Sequence, residues 1–161
     1  MSVFTRTALA AALLAAAPLA FAATADDTMT VSITIENSCT IAANDLAFGP
    51  QNTLAADIEV STTVDVVCTA AGPLSIDFTA GGGASATFAS RQMTHALATD
   101  TINYTLYSDS ARTNVLGGAV VLAGTSTGGT DSFPVYGRVF GGQGAKPVGS
   151  YSDTVTATVT F

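Results

Sequence analysis

Gly124-Thr125-Ser126-Thr127-Gly128 fits the G-x-S-x-G pattern of a nucleophile elbow. A serine there attacks acyl groups only when a strand leads in, a helix leads out, and an acid and a histidine follow later in the chain. Gly129 and Thr130 carry no helix signal, and the single histidine, His95, precedes Ser126. The segment therefore reads as a flexible Ser/Thr/Gly turn. His95 has no second histidine to build a metal centre with and no place in a triad, so it reads as a surface or loop residue. Asp57, Glu59 and Asp65 share one face of an alternating stretch. Paired carboxylates can do acid–base work, but this face lies opposite the apolar one and reads as solvated exterior. Gly81-Gly82-Gly83 lacks the Lys-Ser/Thr of a phosphate loop and reads as a hairpin loop. Asn103-Tyr104-Thr105 fits a glycosylation sequon inside an expected strand. No catalytic residue, metal ligand, cofactor or small-molecule substrate is expected; the chain does not read as an enzyme.

The start of the chain has its own logic. Arg6 precedes the apolar run Ala8 to Ala17, Pro18 breaks it, and Ala20-Phe21-Ala22 fits a small-x-small cleavage site. This is the layout of a secretory signal peptide, assigned to residues 1–23. A run of roughly 15 apolar residues is short for a spanning helix, which needs about 20. Without Arg6 the net charge moves from −7 to −8, and the remaining cations are Arg91, Arg112, Arg138 and Lys146. They are scattered, so the basic stripe that a nucleic-acid binder requires is missing. In an exported chain the two cysteines, Cys39 and Cys68, read as a disulfide. A loop of that length is worth roughly 3.5 kcal/mol in the chain-entropy picture. The rival zinc site lacks ligands.

A period of two dominates the rest. Met29, Val31, Ile33 and Ile35 alternate with Thr30, Ser32, Thr34 and Glu36. Ile58 to Cys68, Leu74 to Phe78, Ile102 to Leu106 and Phe133 to Val139 behave alike, and finally Val155, Ala157, Val159 and Phe161 alternate with threonines. One apolar and one polar face per strand is the pattern of antiparallel sheets covered on one side. Both cysteines fall on the apolar parity, which suits a bridge between inward faces. Glycine and proline clusters at Pro50, residues 81–83, 128–129 and 141–149 separate the strands. Ala89 to Ala98 is allowed one short turn. The expected fold is all-β, a sandwich of seven or eight short strands in one domain. By alternation alone, residues 28–35 are either the first strand of an ordinary sandwich or a strand that pairs in another molecule.

The ordered set of motifs resembles the archaic chaperone–usher pilus subunits and the related spore coat protein U-like domains. Met29-x-Val31-x-Ile33-x-Ile35-x-x-x-Cys39 resembles their N-terminal donor segment leading to the first cysteine, and Leu46-Ala47-Phe48-Gly49 their short second strand. Val64 to Cys68 carries the second cysteine. Ile102 to Asp109 with Ala111-Arg112-Thr113-Asn114, Pro134 to Arg138, and Gly149 to Asp153 with the terminal Val155 to Phe161 resemble the later landmarks. Leu116-Gly117 departs from the Trp-Gly pair of many relatives. The resemblance implies an incomplete immunoglobulin-like sandwich over residues 37–161, lacking its last strand, with a donor strand over residues 24–36. Met29, Val31, Ile33 and Ile35 would enter a partner's groove, and Val155, Ala157, Val159 and Phe161 would flank the chain's own. The last alternating stretch reaches Phe161, so no closing strand is expected after it. The implied partners are neighbouring subunits in a head-to-tail homopolymer or mixed fibre, a periplasmic chaperone and an outer-membrane usher. The implied place is the cell surface, reached through the periplasm, in adhesion or biofilm formation. The alternatives are a spore-coat or surface-coat protein of the same fold and a self-complete secreted binding sandwich.

Overall fold

The computed structural model describes residues 22–97 and 99–161. The signal-peptide assignment falls on residues 1–21 for all but its last two positions, and these lie outside the described residues. The chain divides into two units between Thr34 and Ile35. In the first, residues 22–34 hold no strand. Met29, Val31, Ile33 and, just past the boundary, Ile35 are each 87% exposed. The alternating pattern over residues 28–35 thus corresponds to no ladder here. A strand exists only where a second edge supplies its hydrogen bonds, and none does so among the described residues.

The second unit is a sandwich of nine strands. They are β1 (Cys39–Ala43), β2 (Ile58–Cys68), β3 (Ala71–Phe78), β4 (Arg91–His95), β5 (Thr101–Tyr107), β6 (Leu122–Thr127), β7 (Thr130–Val139), β8 (Tyr151–Ser152) and β9 (Ala157–Thr160). One sheet has the order β1-β2-β7-β5-β4-β8, the other β6-β3-β9. Every pairing is antiparallel. The β2–β7 ladder runs from Ile58 opposite Val139 to Val67 opposite Thr130. Its alternating parity buries Val64, Val66 and Cys68 with Val135 and Val139. Leu74, Ile76 and Phe78 of β3 meet them from the other sheet and close the core. This is side-chain alternation turned into two facing apolar layers.

The cysteines form a disulfide, with Cys39 directly opposite Cys68 in the β1–β2 register and their Cα atoms 4.1 Å apart. The bridge links neighbours in one sheet; it does not cross between the sheets. Cys68→Ala is expected to lower unfolding stability by about 2–5 kcal/mol, with wild type under reductant showing the same loss in urea titrations.

Several expectations are corrected. Residues 89–98 hold no helical turn at their centre; residues 91–95 are β4, because Gln92, Met93 and Thr94 pair with Asn103, Ile102 and Thr101. The stretch 124–127 is the end of β6 and no flexible turn, with Ser126 buried. Gly124 is glycine for packing reasons, since a Cβ there would strike the Phe133 ring. Leu46–Phe48 forms no strand. It lies over β7 at Gly137, where any Cβ would meet the Leu46 and Phe48 side chains. The last alternating stretch, Val155 to Phe161, is a strand only over Ala157–Thr160, which pairs with β3; Tyr151–Ser152 ahead of it pairs with β4, and residues 153–156 cross between the sheets.

The acidic face is not simply solvated. Glu59 binds Arg138 at 2.7 Å and Arg112 at 3.0 Å, and Asp57 lies 3.6 Å from Arg138. Asp65 accepts from Ser132 and Asn44, which lowers its pKa. Asp109 is held low by the Asn114 backbone N–H and by Thr113, and Asp131 by the backbone N–H and hydroxyl of Thr127. A carboxylate depressed by folding contributes stability above its ordinary value of 3.8 and loses it as pH falls through the lower folded value. Acid unfolding should therefore steepen below 3.8. The variant with alanine at 65, 109 and 131 should show a shallower acid limb in a series of melting temperatures against pH.

Candidate functional site

A trough opens along the second unit. One wall is the chain from Ala43 to Ala55, the other the chain from Gly142 to Ala157. It comprises two adjoining cavities of about 510 and 1070 Å3 that share Leu46, Phe48, Met93 and Tyr151. The floor is the inner face of the six-stranded sheet, including Val64, Leu106 and Val135 in one part and Ile58, Ile102 and Val139 in the other.

The C-terminal stretch lies at this opening. β9 is an edge strand, paired with β3 on one side and with no ladder partner on the other among the described residues. Val155 and Ala157 line the trough. Val159 packs against the core from β9, while Phe161 is 52% exposed. Of the four C-terminal residues singled out from the sequence, two therefore meet in the trough.

A partly buried polar cluster holds the crossing of residues 153–156. Tyr104 Oη donates to Asp153 Oδ2 at 2.7 Å, and Gly82 N–H donates to Asp153 Oδ1 at 2.7 Å. Gly81 makes room for this carboxylate, since a Cβ there would overlap it, and its φ of 91° also favours glycine. Burial pushes the Tyr104 phenol well above its ordinary pKa, and the hydrogen bond to Asp153 adds to the shift, so it stays a donor. Thr156 is fixed on both sides by Thr79, its N–H donating to Oγ1 and its C=O accepting from N–H. Tyr104→Phe is expected to cost about 1–3 kcal/mol by leaving Asp153 short of a donor, read as a lower urea midpoint.

Arg91, read from the sequence as one of the scattered cations, has a structural role. It is 0% exposed and donates to the carbonyls of Thr79, Phe88 and Leu116. It thereby ties β4 to the loops at the end of the sandwich. Asp153 was quoted only within a motif, and nothing in its spacing pointed to Tyr104. His95 is no loop residue: it ends β4, half-buried, with its ring edge-on to Tyr151 at 4.8 Å. Ser126 and His95 are not brought into a triad, and no group of three metal-ligating side chains occurs among the described residues.

Comparison with known proteins agrees with this geometry. Against a chain of the CsuC–CsuE chaperone–tip adhesion subunit pre-assembly complex, from archaic chaperone–usher Csu pili of Acinetobacter baumannii, the TM-score is 0.60 at 18% identity. That match covers 80% of this chain and 41% of the other. Against the P pilus rod subunit PapA it is 0.54 at 15% identity, covering 76% and 97%. At such identities the likeness is one of fold, the immunoglobulin-like sandwich of pilins. In sequence, the chain is 32% identical over 184 residues to Protein U of Myxococcus xanthus, covering 97% of this chain and 98% of that protein. Residues 25–158 match the Spore Coat Protein U domain. With a match of that extent laid over an open immunoglobulin-like sandwich, this chain belongs to the spore coat protein U domain family.

Proposed function

We propose that this protein is a structural subunit of a chaperone–usher pilus, polymerising by donation of residues 24–36 to the trough of the next copy. One observation carries the reading: a single chain holds both an apolar trough beside an edge strand and an alternating apolar segment that joins no sheet. Each is an aggregation hazard in water alone, and each is the complement of the other. Eight extended residues cover about 26 Å, a length suited to an edge and groove of this kind. The contact is head to tail, so it propagates into an open fibre.

In this reading, Met29, Val31, Ile33 and Ile35 present one face to the trough, and Val155, Ala157, Val159 and Phe161 form the acceptor side. A periplasmic chaperone occupies the trough before assembly, and an outer-membrane usher exchanges it for the next subunit. Export through the periplasm to the surface, with loss of residues 1–23, follows from the same scheme, as does service in adhesion or biofilm formation. The role is structural; the family and the two pilin-fold neighbours are not enzymes.

A second reading has its own support in the family's description as a spore coat domain. There the same strand donation would build a coat layer. Negative-stain electron microscopy of the purified mature chain separates the two. Thin unbranched fibres support the pilus, flat sheets or patches support the coat, and dispersed monomers at high concentration would sink both.

A further inference from the structure

The chain leaves its own sandwich at a fixed point. Ser38 carries the β1–β2 pairing one step past the disulfide: the Thr69 N–H donates to the Ser38 carbonyl at 2.9 Å, and the Ser38 N–H to Thr69 Oγ1 at 3.0 Å. Thr69 Oγ1 in turn donates to Asn37 Oδ1 at 3.3 Å. Only Glu36 separates this anchorage from Ile35. The opposite end of the sandwich holds the start of β2, the end of β7 and the β4–β5 turn. There Leu97 and Val148, 94% and 101% exposed, flank the His95 ring, the Leu97 N–H donating to Nδ1 and the Val148 carbonyl meeting Nε2. Val148 and Lys146 line the larger cavity. Arg112 and Arg138 are paired with carboxylates and Arg91 with carbonyls. Lys146, the single lysine of the chain, has no ion pair among the described residues, and neither has Glu36.

We propose that consecutive copies make a second, end-to-end contact, in which Lys146, Leu97 and Val148 of the receiving copy meet Glu36 and the Thr69-Ala70 turn of the copy that gives the strand. The inference rests on the strand-donation reading and gives it a direction. β3 starts just after Cys68, so its Ser75 lies nearer the disulfide end than its Phe78. β9 places Ala157 opposite Phe78 and Thr160 opposite Ser75, and so runs towards the disulfide end. A strand added antiparallel to its free edge runs the other way. That pairing is the one every ladder of the domain uses, and it is slightly the more stable per residue. The added strand then leaves the trough at the Leu97–Val148 end, with Ile35 last and Glu36 emerging beside Lys146. Ile35 and Asn37 are two extended steps of about 3.3 Å apart, so the giving sandwich, anchored at Asn37, must abut that end. Leu97 and Val148 face its Thr69-Ala70 turn, which is exposed and built of small residues. An exposed ion pair changes affinity only a few-fold; its weight here lies in orientation. A reversed strand would leave Glu36 at the disulfide end and bring Asp26 and Asp27 to Lys146.

The single lysine makes the test specific. Isotopically light and heavy samples of the full mature chain are mixed, assembled and treated with a carbodiimide. The reagent takes up the water lost as an amine and a carboxylate form an amide, and leaves no spacer between them. Peptide mass spectrometry should find Lys146 joined to Glu36 across light and heavy chains. Ile33→Asp, which strand donation makes monomeric, should give at least about tenfold less of this link. Leu97→Ser combined with Val148→Ser touches only exposed side chains. It should keep the detergent-resistant ladder and lower the link about tenfold, the loss expected when two partly covered apolar side chains are removed. A ladder in which Lys146 joins Glu36 only within one chain, joins Asp26 or Asp27 instead, or joins no carboxylate of another copy overturns the end contact and leaves strand donation standing. An undiminished link in either variant also overturns it. No ladder at all removes both.

Discussion

Arg91→Ala is expected to lose about 5 kcal/mol or more, enough to leave much of the domain unfolded at 37 °C given usual stabilities of about 5–15 kcal/mol. The side chain is fully buried, and its guanidinium answers the carbonyls of Thr79, Phe88 and Leu116. Hydrogen bonds to a charged donor are worth about 1.5–3 kcal/mol each, and alanine leaves all three carbonyls without their donor in a cavity. Desolvation lowers the Arg91 pKa, countered in part by the fields of Tyr104, Asp153 and Asp77. An arginine still stays protonated, so the charge itself is solvated only by those carbonyls and the face of Phe88 at 5.7 Å. Arg91→Lys retains the charge but not the fork, and should recover less than half of the loss. Urea unfolding followed by far-ultraviolet circular dichroism checks both. An Arg91→Ala midpoint within error of wild type would show that the carbonyls find other partners.

Ile33→Asp is expected to do the reverse: nearly nothing to the monomer and nearly everything to assembly. Ile33 is exposed in the free chain, and surface substitutions are usually within about 0.5 kcal/mol. In a neighbour's trough the same residue would bury about 1.5–3 kcal/mol of apolar side chain. The carboxylate would in addition have to enter an apolar site unpaired, at a cost of several kcal/mol. Together these lower multimer formation by at least about 1000-fold, at 1.4 kcal/mol per factor of ten. Thr34→Asp, on the opposite parity, should change it by less than tenfold. Size-exclusion chromatography with light scattering reads both variants. Equal multimer content in Ile33→Asp and wild type would remove residues 28–35 from the interface.

Period-two alternation made the long strands legible. Ile58 to Cys68 is β2 to the residue, and Leu74–Phe78, Ile102–Leu106 and Phe133–Val139 fall inside β3, β5 and β7. The cysteine parity anticipated the bond, though not that it joins adjacent strands. What escaped the sequence depends on partners. β4 is half polar and becomes a strand because β5 and β8 flank it. β6 contains Gly124 and hydroxyl residues, and its signal resembles a turn until Phe133 needs the space. The split between β8 and β9 arises where Asp153 meets Tyr104, 49 residues away in sequence, which no local pattern carries. The trough was legible only through resemblance, since an opening is defined by what two distant walls fail to cover. Arg91 was illegible for the same reason: it joins two connections distant in sequence, Thr79 and Phe88 between β3 and β4 and Leu116 between β5 and β6.

The central claim, that residues 24–36 complete another copy, is tested most directly by gel electrophoresis of unheated samples in sodium dodecyl sulfate. The mature chain would be compared with a variant lacking residues 24–35. Strand donation predicts a ladder of detergent-resistant multimers that collapses to monomer on boiling and is missing from the deletion. A monomer at every concentration of the intact chain, with the deletion unfolding it, would contradict the account and make residues 24–36 a strand of their own sandwich.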